Sequence, residues 1–291
     1  MCHEAIDRLA DLNRADQFTV LEHATEVLAA SPAVTHLMVR GSFAKGTSDR
    51  LSDVDLVVGV TDEQFTTFAT VHDALISTEL NGLLPAWPDK IVPRMGGLGY
   101  VHLIDAGGRL HQLDLYLAPT SRIRDLTLLT RGEVIYEAPG IRDTTRAPRR
   151  DVEAFIADQL AAPLTCGQLV VEALVLAWMI RKRIKRSQQF MAYTEMHLLT
   201  TAARTLMRTA LSPQRAYYGW YHLEDDLGIT PIGQDCLKEL EALIALPPVP
   251  TVGSLDDCLR RILAVARRAA PDAVQTLQLP IDAYMYHLAR S

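Results

Sequence analysis

Residues 39–58 read VRGSFAKGTSDRLSDVDLVV, and this stretch decides how the rest of the first half of the chain is interpreted. A β-type apolar run over residues 33–39 stops at Gly41, and a second run begins at Asp53. Short runs of this kind on either side of a glycine-containing segment are typical of two strands. The stretch therefore predicts a strand, a turn with a short helical segment, and a second strand over residues 53–60.

Asp53 and Asp55 stand at the head of the second predicted strand. Side chains alternate along a strand, so the two carboxylates point to one side while Val54 and Leu56 point to the other. Neighbouring carboxylates repel each other, and a hard divalent cation such as Mg²⁺ relieves that repulsion while bridging to nucleotide phosphates. The pattern predicts Asp53 and Asp55 as catalytic residues that bind the metal.

The turn before them carries candidate phosphate contacts. Gly41 has no Cβ, so the backbone there can approach a phosphate closely. Ser42 and the backbone N–H groups that follow it can donate hydrogen bonds to phosphate oxygens. Lys45 offers a further positive charge, although a solvated lysine is an equally good interpretation of that position. We therefore expect Gly41, Ser42 and Lys45 to bind the phosphates of a nucleotide.

A third carboxylate is predicted from residues 113–117, which read LDLYL. Asp114 is the single acid in this apolar strand, and burying a charge is costly unless it is paired or bound to a metal. Asp114 is therefore expected to be a third Mg²⁺ ligand, a general base that takes the proton from an acceptor hydroxyl, or both.

The set formed by Gly41-Ser42, Asp53-x-Asp55 and Asp114 resembles the signature of the DNA polymerase β-like nucleotidyltransferase superfamily. Within it, the run from Gly41 to Asp55 is similar to that of lincosamide nucleotidyltransferases and, next, aminoglycoside adenylyltransferases. The resemblance implies Mg²⁺-dependent transfer of a nucleoside monophosphate, with ATP as the expected donor, to a hydroxyl of a small molecule. The lincosamide enzymes carry glutamate at the positions of Asp55 and Asp114, which leaves the acceptor open.

The second half of the chain is typical of helices separated by prolines. Helices are predicted over residues 169–184, 193–210, 234–246, 255–270 and 281–289. In the first half, a helix is predicted over residues 5–30, a loop over 83–99 and strands over 100–105 and 110–117. Pro139-Gly140 and the basic residues of 142–150 interrupt both patterns. We predict an α+β fold with a mixed-sheet nucleotidyltransferase core at 1–145, an all-α helical domain at 146–291, and an active site between them.

Residues 181–186, RKRIKR, close a predicted apolar helix. Cations favour a helix C-terminus, so a solvated helix end is one interpretation. In the other, Lys185 and Arg186 contact the β- and γ-phosphates of the nucleotide. A nucleic-acid surface is a third, but no aromatic residues are interleaved with the charges.

Residues 217–226, YYGWYHLEDD, also allow two interpretations. Rings and carboxylates of this kind suit a pocket for a cationic, sugar-like acceptor. Aromatic packing between helices is the alternative.

The composition narrows the possible partners and the expected location of the protein. The formal net charge is −6, which argues against a nucleic-acid partner, because such proteins usually present a basic face. No apolar run approaches the ~18 residues that span a membrane, and the first residues are acidic. We therefore expect a cytoplasmic protein without a membrane partner, a monomer or a homodimer, whose four scattered cysteines form no disulfide or metal site. An antitoxin-like protein-adenylylating enzyme, an RNA-end nucleotidyltransferase and a non-catalytic nucleotide-binding module stay as alternatives.

Overall fold

The computed structural model describes residues 2–13, 16–89, 95–141 and 147–290. It divides into two compact units, with the division after Ala162. The first unit contains α1 (Cys2–Asn13), α2 (Phe18–Ala29), β1 (Val34–Val39), α3 (Gly41–Ala44), β2 (Val54–Val60), α4 (Phe65–Glu79), β3 (Trp87–Asp89), β4 (Leu98–Ala106), β5 (Arg109–Pro119), α5 (Ile123–Thr130), β6 (Glu133–Glu137) and α6 (Arg150–Ala161).

The second unit is helical. It contains α7 (Cys166–Lys185), α8 (Gln189–Leu211), α9 (Leu223–Leu227), α10 (Pro231–Ile244), α11 (Val252–Ala269), α12 (Pro271–Thr276) and α13 (Gln278–Arg290). The central helix α7 begins at a capping box, in which the Thr165 hydroxyl and the Gln168 side chain satisfy each other's backbone N–H groups. An α+β fold with a mixed sheet, followed by a helical domain, is thus confirmed, as are the five helices predicted after residue 163.

Six strands of the first unit form one mixed sheet in the order β3-β4-β5-β2-β1-β6. β2 and β5 are parallel neighbours at its centre, and the other pairs are antiparallel. A parallel pair needs a long crossover, which residues 61–108 provide. Because of that crossover, two segments far apart in the sequence lie side by side.

The two faces of the sheet are different. On one face Val54, Leu56, Leu113 and Leu115 join a large apolar core that α2, α4 and α6 cover. On the other face a smaller apolar cluster, which includes Val57 and Tyr116, fills only part of the surface. The remainder of this second face is where the polar residues of β2 and β5 emerge.

Several boundaries differ from the sequence predictions. The expected helix over residues 5–30 is two helices, because α2 starts afresh after Gln17. The expected loop at 83–99 contains β3, a short strand on the edge of the sheet. The predicted domain boundary at 145/146 falls within residues 142–146, which lie outside the described part of the chain, and α6 packs Val152 and Ile156 into the core of the first unit.

Within the described residues, no single helix has the length and apolar character needed to cross a membrane; only α6 and α7 counted together, across the break between them, meet that test. Cys166, Cys236 and Cys258 are free thiols.

Two buried histidines lie between α4 and the sheet. The ring centroids of His72 and His102 are 5.5 Å apart. Neither ring nitrogen of His102 has a hydrogen-bond partner, and its Nδ1 lies 3.8 Å from the Asp73 carboxylate. Burial, with a smaller effect of His72, lowers the pKa of His102 to about 3.

This burial makes the fold sensitive to acid. Between pH ~6.5 and ~3 the unfolded chain binds a proton that the folded His102 does not, so stability falls as the pH falls through that window. We expect His102→Leu to reduce the loss of unfolding free energy between pH 7 and 5 by on the order of 1–2 kcal/mol, measured by urea denaturation. The exposed His23→Leu is the control, and an equal pH dependence in the parent and His102→Leu would contradict the expectation.

Candidate active site

The turn after β1 passes against the side chain of Asp55. The Arg40 N–H donates to the Asp55 carbonyl oxygen at 3.1 Å, and Gly41 follows with a φ of +69°. A Cβ on Gly41 would lie 2.1 Å from Asp55 Oδ2. Position 41 therefore requires glycine both for its backbone conformation and for space. The close approach that the structure contains is to a carboxylate; the expected contact of Gly41 with a phosphate stays a prediction.

The three predicted carboxylates emerge on one face of the sheet. Asp55 and Asp114 are register partners on the parallel strands β2 and β5. Asp53 comes two residues before Asp55, and strand alternation puts it on the same side. All three side chains are half-buried. The structure thus makes neighbours of Asp55 and Asp114, which the sequence marked in two distant segments.

The adjacency of the two carboxylates changes how they bind protons. Burial, with the charge of Asp55 as the second cause, raises the pKa of Asp114 to about 8. Burial also raises the pKa of Asp55, although the positive charges of Arg40 and Lys45 oppose that effect. In the absence of another cation, Asp114 is therefore mostly protonated at neutral pH.

Two cations already act on Asp55. A guanidinium nitrogen of Arg40 lies 3.4 Å from Asp55 Oδ1, and both side chains are largely shielded from solvent. Lys45 is exposed, yet its charge lowers the pKa of Asp55, so it lies within electrostatic range of the site. Ser42 is half-buried in the short helix α3, and its binding to a triphosphate stays a prediction.

Sequence reasoning missed two glutamines that support this site. Gln17, which precedes α2 and is buried, donates its side-chain amide to the carbonyl oxygens of Asp49 and Ser52, which fixes the loop that leads to Asp53. Gln112 donates to Asp114 Oδ1 at 2.7 Å. Gln112 could have been predicted, because residues two apart in a strand lie on the same face and Gln112 comes two residues before Asp114. The sequence around Gln17 contains no comparable pattern.

A fourth acid on this face was also missed. Asp89 of β3 pairs with Gly99 across β4, and Gly99 in turn pairs with Tyr116. Its charge contributes to the raised pKa of Asp114. Asp89 lies in the stretch predicted as a loop, so its position on the sheet could not be foreseen.

The carboxylate oxygens of these aspartates are the type of ligand that a hard divalent cation prefers. Two carboxylates in register, one of them with a strongly raised pKa, are an arrangement that a bound cation would stabilise. However, the described part of the chain contains no group of three or more acids, histidines or cysteines already spaced for a metal. The donors therefore share a face but are not gathered around one point.

The basic run of the second unit is mostly used inside that unit. Arg181 pairs with Asp256 at 3.1 Å, and Arg183 pairs with the buried Glu195 at 3.0 Å. Lys182 is only 2% exposed. These three cations are thus internal, which differs from a solvated helix end.

The other two cations of the run have a different position. Lys185 is the exposed last residue of α7, and Arg186 is the half-buried residue that caps it. Their proposed contact with the β- and γ-phosphates stays a prediction.

A buried arginine holds the aromatic stretch at residues 217–226. Arg208 of α8 is fully buried; its Nε donates to the Gly219 carbonyl oxygen at 2.8 Å, and its other nitrogens bind Tyr221 O and the Asp226 carboxylate. The aromatic rings themselves are largely exposed, with Tyr217 at 77%. They do not form the helix-packing cluster that was one interpretation of this stretch.

Part of that stretch lines a pocket of about 360 Å³ within the second unit. The lining combines rings, carboxylates and aliphatic side chains: Trp220, His222, Leu223, Glu224, Asp225, Leu237, Leu240, Glu241 and Ile244. Its three carboxylates give it a chemistry suited to a cationic ligand.

Comparisons with known proteins add little to this geometry. No protein-family model matches the chain, and no curated protein matches it. Among solved structures, a nucleotidyltransferase-like protein from Exiguobacterium sibiricum 255-15 matches 93% of this chain and 78% of its own, at 16% identity. The TM-score is 0.23, which is too low to support a conclusion about the site.

The raised pKa of Asp114 predicts a pH effect on stability. Between pH ~4 and ~8 the folded state holds a proton that the unfolded chain has lost, so this residue makes the fold less stable as the pH rises. In EDTA we expect Asp114→Asn to gain on the order of 2 kcal/mol relative to the parent between pH 5 and 8, measured by urea denaturation. A constant difference across that range would show that Asp114 ionises normally.

Because the space beside Gly41 is filled by Asp55, adding one methyl group there should lower the stability of the protein strongly. Gly41→Ala adds a Cβ against Asp55, whereas Gly107→Ala adds one at a similar positive φ with nothing within 4 Å. We expect Gly107→Ala to cost about 1 kcal/mol of stability from backbone strain alone, and Gly41→Ala to cost at least ~2 kcal/mol more. Thermal denaturation of both variants measures this, and equal losses would mean that Asp55 does not fill the space.

Proposed function

We propose that this protein is an Mg²⁺-dependent nucleotidyltransferase, which moves a nucleoside monophosphate from a nucleoside triphosphate to a hydroxyl of a small molecule and releases pyrophosphate. The observation that carries the proposal is the register of Asp55 with Asp114, with Asp53 on the same face and the Gly41 turn against them. Reactions of this kind depend mainly on positioning and on charge neutralisation.

On the donor side, Asp53 and Asp55 would hold the Mg²⁺, with Asp114 as a further oxygen ligand. A bound Mg²⁺ would neutralise charge on the triphosphate and on the carboxylates. Ser42 and Lys45, which belong to the same turn as Gly41, would bind the phosphate oxygens. ATP is the donor that we propose.

On the acceptor side, Asp114 is the base. The acceptor oxygen forms a bond to the α-phosphorus, the bond from that phosphorus to pyrophosphate breaks, and the acceptor proton passes to Asp114. A base works best with a pKa near the working pH. Burial raises the pKa of Asp114 to about 8 in the metal-free protein, and a bound Mg²⁺ would lower that pKa, so that the ionised carboxylate could take the proton at neutral pH.

For the acceptor we propose a lincosamide or aminoglycoside antibiotic. This acceptor class rests on the resemblance of the run from Gly41 to Asp55 to lincosamide and aminoglycoside enzymes. Separately, the second unit contains a pocket lined by Trp220, Glu224, Asp225 and Glu241, whose carboxylates attract positive charge and whose indole offers a stacking surface. An RNA acceptor is less well supported, because Arg181, Lys182 and Arg183 are internal to the second unit. A protein acceptor has no specific observation in its favour.

The test is a transfer assay. The protein is incubated with MgCl₂, each nucleoside triphosphate in turn and a panel of lincosamides and aminoglycosides, and the readouts are pyrophosphate and a product heavier by one nucleotidyl unit. Asp53→Asn and Asp55→Asn are expected to lower kcat/KM at least ~10³-fold, because each removes a charge that binds the metal. Asp114→Asn is expected to lower kcat while ATP binding stays within a few-fold.

The exposed Asp158→Asn in α6 is the matched control and should leave the rate unchanged. Activity of Asp53→Asn or Asp55→Asn within a few-fold of the parent would remove the metal assignment. An equal loss of ATP binding and turnover in Asp114→Asn would remove its role as base.

A further inference from the structure

Arg40 is a shielded cation whose placement the nucleotidyltransferase proposal does not explain. It links β1 to α3, and its side chain is only 15% exposed. A guanidinium nitrogen lies 3.4 Å from Asp55 Oδ1, while Nε is buried without a hydrogen-bond partner. A guanidinium held in this way is positioned by charge attraction to Asp55 more than by a full set of hydrogen bonds.

The position of Arg40 is fixed by the fold. In an antiparallel pair, opposite residues put their side chains on the same face, and the Arg40 N–H binds the carbonyl oxygen of Asp55. The Arg40 guanidinium lies beside Asp55, and Asp55 is the register partner of Asp114 on the neighbouring strand. Arg40 is therefore the near counter-charge of the Asp55–Asp114 pair.

Both oxygens of Asp55 have close neighbours. Oδ1 faces the Arg40 guanidinium, and Oδ2 lies against the backbone at Gly41. The backbone before Gly41 is tied to Asp55 by the Arg40 N–H bond, whereas the Arg40 side chain has several rotatable bonds. The acids of the described chain are also not yet gathered for a metal. A divalent cation that binds Asp55 through Oδ1 therefore meets the Arg40 charge at 3.4 Å and competes with it for that oxygen.

We propose that Arg40 is a resident counter-cation, which holds the Asp55–Asp114 pair in the metal-free protein and leaves Asp55 when a divalent cation binds. Arg40 is a positioning residue in this scheme: it keeps two like charges together on the sheet face until the metal replaces it. This inference rests on the proposed function, because it assumes that the aspartates take a divalent cation.

The experiment is a Mn²⁺ titration without nucleotide, in which electron paramagnetic resonance measures free Mn²⁺. We expect Arg40→Gln to bind Mn²⁺ about tenfold more tightly than the parent, which corresponds to ~1.4 kcal/mol, because the competing charge is gone. Arg40→Lys keeps the charge and should stay within about twofold to threefold of the parent. Arg149→Gln, which removes an arginine paired with Asp151, is the matched control and should bind like the parent.

The outcomes separate the two proposals. Tighter binding by Arg40→Gln, or binding by that variant alone, supports the counter-cation. If the parent binds Mn²⁺ and Arg40→Gln binds equally or more weakly, the counter-cation is wrong and the proposed function stands. If neither binds Mn²⁺, both proposals fail.

A second measurement covers the case in which Arg40→Gln does not fold. The Nε–H signal of Arg40 in the parent, assigned by its absence from the spectrum of Arg40→Lys, is followed by NMR while Mg²⁺ is added. A shift that saturates with Mg²⁺ is expected if Arg40 leaves Asp55. An unchanged signal at Mg²⁺ concentrations that stabilise the protein against heat would overturn the inference.

Discussion

Parallel pairing of β2 with β5 places the carboxylates of Asp55 and Asp114 side by side on one face of the sheet, where like charges repel. Neighbouring groups reduce that repulsion. Burial and the charge of Asp55 raise the pKa of Asp114, Gln112 donates a hydrogen bond to it, and Arg40 supplies a positive charge to Asp55. Two neighbouring carboxylates destabilise a fold unless a cation neutralises their charge.

The opposite face of the same strands keeps this pair in place. Val54, Leu56, Leu113 and Leu115 are buried in the large core beneath the helices. A slip of one residue would move these apolar side chains out of the core and turn the aspartates into it. The hydrophobic core therefore sets the register, and the register brings the charges together. The same β2–β5 register thus buries the apolar side chains on one face and places the two aspartates side by side on the other.

Charge in the second unit has a different arrangement. Its basic run is drawn inward by Asp256 and Glu195, and its buried Arg208 anchors the loop that carries the exposed aromatic rings. That unit consequently offers an acidic and aromatic pocket more than a basic surface. This distribution agrees with the overall net charge of −6 and is consistent with the cationic acceptor that we propose.

The sequence by itself determined the local features: the strand at 54–60, the helices after residue 163, and the common side of Asp53 and Asp55. These depend on periods of 2 and 3.6 residues, which a short stretch of sequence displays. It also marked Asp114 as a costly acid in an apolar strand. Only the tertiary structure decided that Asp114 is the register partner of Asp55, that Arg40 lies beside Asp55, and that Gln17 holds the loop before Asp53. The reason is that periodicity tells which face of a strand a residue occupies, whereas the choice of neighbouring strand is made by contacts between segments some 60 residues apart, when the whole core packs.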